Sequence, residues 1–234
     1  MKIIAIGNSF SQDCTAYLER LTDDDVTVRN LFIGGCSLER HAGNIKDKRA
    51  EYELQRHGER IGDTLVSINE MLTCDDWDVI TVQEVSGNSG KYEVFAEHLR
   101  EVLAAVRALC PRARIVWNQT WSYASYSTHG RFADYDRDTE KMHWMIDASA
   151  HRAAEEHGLG LIETGRAIHT LRHTLTPDGT ELCRDGFHLS FTDGRYAAAY
   201  VWARYFDLSV NDFVPDGADA ARICKIREIL DAEL

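Results

Sequence analysis

The chain begins Met1-Lys2-Ile3-Ile4-Ala5-Ile6-Gly7-Asn8-Ser9-Phe10-Ser11-Gln12-Asp13-Cys14, and the reading of this stretch decides the fold. A short apolar run, Lys2–Ile6, stops at Gly7-Asn8 and gives way to Gln12–Leu21, where Cys14, Tyr17, Leu18 and Leu21 share a helical face. Strand, tight turn and helix in that order open a βα unit. Ser9 falls at the junction. Ser9-x-x-Gln12 fits a capping box, and the same place suits a nucleophile held at the carboxyl end of a strand. Ser11, the nearby hydroxyl, reads as a polar residue at the helix start.

The rest of the chain repeats the unit. Val26–Ile33, Trp77–Val82, Arg114–Asn118 and Leu159–Glu163 read as four further strands. Helical patterns cover Thr64–Leu72, Val94–Leu109, Asp138–Gly158, Thr192–Phe206 and Ala218–Leu230. Residues 38–60 are charged and irregular, and "AEYELQRHGERI" (50–61) fits either a small hairpin or a piece of helix. The expectation is one α/β domain over 1–234. Its core would be a three-layer α/β/α sandwich on a parallel, five-stranded, flavodoxin-like sheet. Ligands gather at the carboxyl ends of the strands in such sheets.

Composition narrows the function classes. The 234 residues carry 26 Lys and Arg against 38 Asp and Glu, a formal net charge of -12. Phosphate backbones and anionic membranes are met by Lys and Arg, so neither a nucleic acid nor a membrane is expected as a partner. The four apolar residues after Lys2 are too few for a signal-peptide core, and a cytoplasmic location is expected. The six cysteines are scattered with no C-x-x-C pair, which reads as reduced thiols; Cys36 reads as a buried structural one. His169 and His173 have the i, i+4 spacing of a zinc pair, but no third ligand pattern accompanies them, so they read as a surface helix face and no metal is expected.

The strand ends collect small, amide and hydroxyl groups. Gly7-Asn8-Ser9 follows the first strand and Gly34-Gly35-Cys36-Ser37 the second. Gln83-Glu84-Val85-Ser86-Gly87-Asn88 follows the third and Gln119-Thr120-Trp121 the fourth. Late in the chain, "CRDGFHLS" sets Asp185 three residues before His188. A serine hydroxyl needs a base to take its proton, and a carboxylate to orient that base. The chain order Ser, Asp, His permits such a triad. Glycines at 34–35 let backbone N–H groups approach a developing oxyanion.

These blocks resemble the SGNH (GDSL-type) hydrolase superfamily. "GNSFS" is similar to its first block, with Asn8 in place of the usual Asp. "NLFIGGCS" is similar to its glycine block, and "DGFHLS" to its last, Asp-x-x-His block. The third block departs from the usual Gly-x-Asn-Asp. The resemblance implies Ser9 as nucleophile, His188 as general base and Asp185 as its orienting partner. It implies an oxyanion hole from the N–H groups of Ser9 and Gly35 and a side-chain amide, Gln83 or alternatively Asn88. Substrate contacts are expected from Arg40 and His41 after the glycine block, and from Gln119, Trp121 and Tyr123, with Tyr126, on the aromatic loop. The implied activity is that of a serine esterase releasing small acyl groups, acetyl foremost, from a carbohydrate or related ester, with no cofactor. Acyl transfer by the same triad and a non-catalytic carbohydrate-binding module on this fold are the alternatives.

Overall fold

A computed structural model describes residues 1–233. Seven strands form one sheet in the order β4-β3-β2-β1-β5-β6-β7. Five of them run parallel: β1 (Lys2–Gly7), β2 (Thr27–Phe32), β5 (Val79–Val82), β6 (Arg114–Asn118) and β7 (Gly160–Ile162). Taken alone they have the expected flavodoxin-like order. The expected five strands become seven because β3 (Glu53–Arg56) and β4 (Glu59–Arg60) add an antiparallel hairpin beyond β2. His57 and Gly58, at φ +55° and +76°, supply the two left-handed positions that a two-residue type I′ turn needs.

Along β1 the side chains alternate between two cores. Ile3 and Ala5 pack with α1 (Ser9–Thr15), α2 (Leu18–Leu21), α7 (Thr164–Thr174), α8 (Asp193–Tyr205) and α9 (Ala220–Glu233). Ile4 and Ile6 pack on the other face with α3 (Leu38–Asp47), α4 (Ile68–Thr73) and α5 (Tyr92–Leu109). Burial on both faces is why the parallel strands read as continuous apolar runs. Helix α6 (Thr139–His157) straddles the layers, with Met142 and Ile146 in the first core and Ala150 and Ala153 in the second.

Other elements differ from the sequence reading: α3 lies in the stretch read as irregular, and α4 starts at Ile68, four residues after the expected Thr64. The single helix expected over Gln12–Leu21 is two, α1 and α2, with Ala16 and Tyr17 between them. Helix α7 is marked in the sequence only by the His169–His173 spacing, since its buried apolar positions are only Ala167, Ile168 and Leu171. The aromatic loop after β6 contains a 3-10 turn, Gly130–Tyr135. Among the described residues no helix is long and apolar enough to cross a membrane, and no two cysteines are joined.

Candidate active site

Ser9 opens α1 at the carboxyl end of β1, and it is not the cap. Asn8 is: its Oδ1 accepts the Phe10 N–H at 3.0 Å, while its own N–H donates to Ser11 Oγ at 3.0 Å. The box expected at Ser9 and Gln12 therefore lies one residue earlier, and the Ser9 hydroxyl is released from capping. Asn8 also explains its own departure from Asp. Its Nδ2 donates to the Cys36 carbonyl at 3.0 Å, which a carboxylate cannot do, and so ties the serine turn to the glycine block.

Ser9 Oγ lies 2.9 Å from His188 Nε2, and His188 Nδ1 lies 2.6 Å from Asp185 Oδ2. The structure thus brings the three sequence-predicted residues into one hydrogen-bonded chain. The i, i+3 spacing is closed by Asp185 Oδ1, which accepts the N–H of Phe187 at 3.2 Å and of His188 at 2.8 Å. Partial burial opposes ionisation of Asp185, but these hydrogen bonds and the imidazole outweigh it and hold the carboxyl below its usual range. Gly186 makes the turn at φ +88°, with its backbone so close to Ser127 that an added Cβ would meet Ser127 Cα at 2.9 Å.

Asp13, which the sequence reading left without a role, joins the two ends of this chain. One turn after Ser9 and wholly buried, it accepts the Leu189 N–H at 2.9 Å, Arg184 Nη1 at 3.0 Å and Arg195 Nε at 2.8 Å. The signal was present: an aspartate on the apolar side of a helix must be paired.

A cleft of about 410 Å³ opens over Ser9 and His188, with Gly34, Gly35, Val85 and Ser86 on one side and His129 and Phe187 on another. The backbone N–H groups of Ser9, Gly35 and Ser86 have no protein acceptor among the described residues. A larger hollow of about 640 Å³ lies at the amino ends of β5 and β6, beside Asp75, Trp77 and Arg112, far in the fold from every residue of the triad. The cleft at the carboxyl ends holds the chemistry, as this sheet topology favours.

The other sequence-predicted residues sit behind the cleft. Gln83 is buried; its carbonyl accepts from Asn118 at 2.8 Å and its amide donates to Asn8 Oδ1 at 3.0 Å, leaving one N–H uncommitted. Asn88 is held by the Arg131 guanidinium. His41 is fully buried against Tyr52 and Cys36, and Arg40 pairs with Glu51 at 3.1 Å on the exposed side of α3. Gln119 bridges Asp147 and the Arg166 N–H. Trp121 stacks on Phe10 and donates to the Phe187 carbonyl at 2.8 Å, and Tyr123 bonds Ser86 Oγ at 2.8 Å. None of these five expected substrate contacts lines the cleft: His41, Gln119, Trp121 and Tyr123 are buried in the packing and Arg40 faces solvent on α3, since a long side chain after a strand end points as readily elsewhere as into a cleft. Tyr126 is partly exposed and bonds the carbonyls of Thr180 and Cys183. What lines the cleft instead is Phe32, His129 and Phe187.

The sheet order and layering are those of the SGNH/GDSL-type hydrolase fold. The chain belongs to the family described as "Domain of unknown function (DUF4886)", which matches residues 2–227. It is similar to the DUF4886 family protein of Bacteroides uniformis, with 32% identity, a TM-score of 0.83, and coverage of 100% of this chain and 96% of that one. It shares its fold with an acetylxylan esterase of Geobacillus stearothermophilus (14% identity, TM-score 0.55, 91% and 97% covered). A member of the lipolytic G-D-S-L family from Veillonella parvula is similar in the same way (12% identity, TM-score 0.53, 88% and 98% covered). No curated protein matches the chain.

Proposed function

We propose that the protein is a serine esterase that removes a small acyl group, acetyl foremost, from a carbohydrate or related alcohol. The observation that carries this reading is the continuous Ser9–His188–Asp185 chain at the mouth of a cleft lined by uncommitted N–H groups. His188 takes the proton of Ser9 as Oγ attacks the ester carbonyl. The oxyanion rests on the N–H groups of Ser9 and Gly35, with the Ser86 N–H as third donor. The alcohol leaves with the proton from His188. Water, deprotonated by the same imidazole, then releases the acid. Phe32, His129 and Phe187 offer aromatic faces suited to a sugar ring, and a cleft of this volume fits one ring with its acyl substituent. The acetylxylan esterase fold neighbour supports the choice of acyl group.

The test is hydrolysis of p-nitrophenyl acetate together with labelling by a serine-reactive phosphonate. Ser9→Ala is expected to lose both, with kcat/KM down several orders of magnitude. Unchanged turnover in the pure variant would move the nucleophile elsewhere. Sugar binding without turnover or labelling in the wild type would make the protein a binding module.

A further inference from the structure

The i, i+4 pair His169 and His173 lacked a third ligand in the sequence, and the fold supplies one. Helix α6 lies beside α7 and brings Glu140 against both imidazoles: His173 Nε2 is 3.0 Å from Glu140 Oε1, and His169 Nε2 is 3.6 Å from Glu140 Oε2. One donor atom from each residue falls within 4.8 Å of the others. With zinc–ligand bonds of about 2.0–2.1 Å, donors around a tetrahedral ion stand about 3.3 Å apart, and the two His–Glu spacings, each to its own carboxylate oxygen, lie on either side of that value. We propose that Glu140, His169 and His173 bind a late first-row divalent cation, zinc foremost, that clips α6 to α7 and keeps its remaining positions for water.

Two further observations support the site. The His169 ring is held from behind: His143, 2% exposed, stacks on it at 3.7 Å between centroids and 5° between planes. His169 Nδ1 is buried without a partner, so no protein acceptor fixes the tautomer. The proton can sit on Nδ1 while the Nε2 lone pair faces the ion. A second group of metal-ligand type, Asp147, His151 and Glu163, is different: the Arg166 guanidinium lies 3.2 Å from Asp147 and 2.8 Å from Glu163, filling the cation's place.

The experiment titrates the EDTA-treated full-length protein with Zn²⁺ by calorimetry, and with Co²⁺ by its d–d absorption. The expected result is one equivalent bound, a tetrahedral or five-coordinate cobalt spectrum, and a higher unfolding temperature in zinc. His173→Ala and Glu140→Ala each weaken binding at least tenfold and abolish the thermal shift, while His151→Ala changes neither. Both altered side chains are largely exposed, so the variants keep the wild-type unfolding temperature in EDTA. No saturable binding, or an isotherm that His173→Ala and Glu140→Ala leave unchanged, overturns the proposal.

Discussion

Asp13 and Leu189 are 176 residues apart in sequence and joined by a 2.9 Å hydrogen bond from the Leu189 N–H to the buried carboxylate. Leu189 follows His188, and Asp13 lies one helical turn after Ser9. The distance between nucleophile and base is therefore set by a contact that touches neither. Arg184 and Arg195 complete the charge balance on the same carboxylate, and the whole group is a positioning device for the triad.

Removing that carboxylate strands two guanidinium groups. Asp13→Ala is expected to destabilise the fold by about 3–5 kcal/mol, the range for breaking a buried ion pair from one side. That is roughly 10 °C in unfolding temperature for a chain of this size. Asp13→Asn keeps an acceptor for Leu189 and loses less stability, so esterase assays on it below its melting range isolate the positional effect. A melting temperature unchanged in Asp13→Ala would refute the clamp.

Asn8 is expected to resist conversion to the family's usual aspartate. Asn8→Asp removes the donor to the Cys36 carbonyl and faces that oxygen with a buried carboxylate. The turn bearing Ser9 should loosen from the glycine block, with kcat falling at least tenfold while KM changes little. Steady-state kinetics on an acetyl ester decide the matter; equal kcat would show that the tie does not hold the oxyanion donors in place.

Gly186 should tolerate no side chain. Gly186→Ala places a Cβ against Ser127 at φ +88°, straining the turn that presents Asp185 and His188 by about 1–3 kcal/mol. Activity is expected to fall more than tenfold, and the unfolding midpoint to fall by several degrees. Wild-type kinetics in this variant would mean that the turn is not strained.

Glu84 gives the protein a pH signature. Burial pushes its carboxyl up to about 7 from about 4.5, against the N–H groups of Val85 and Leu38 that it accepts. The folded state thus holds a proton that the unfolded chain releases, and stability falls as pH rises from about 4.5 to 7. Each pH unit of this gap is worth about 1.4 kcal/mol, so the full loss is on the order of 3 kcal/mol. Urea unfolding across that window should show the decline in wild type and a flatter curve in Glu84→Gln. A wild-type curve rising through the same window with the slope retained in the variant would contradict the assignment.

The parallel sheet and both ends of the triad could be read from the sequence because local signals agree there. Ile3–Ile6 is apolar on both faces, and Asp185 and His188 need only one turn to meet. The hairpin at the sheet edge was ambiguous because its strands are short and charged, and because His57-Gly58 is an unusual pair for a mirror-image turn. Arg40, His41, Gln119, Trp121 and Tyr123 were misplaced for a different reason. Spacing locates a residue near a strand end, but which way the side chain leaves is decided by packing among distant elements. Asp13 and Glu140 became meaningful only once the fold brought their partners alongside.

The 179-residue separation between Ser9 and His188 has a consequence for how the protein comes into being. The hydroxyl is synthesised well before the imidazole, and strands β2 to β7 are made in the interval. Until residue 188 is made, the Ser9 hydroxyl has no hydrogen-bonded imidazole beside it. A fragment that ends before Asp185 therefore lacks the hydrogen-bonded chain from Ser9 to Asp185, and on the proposed function it is silent toward any ester it meets.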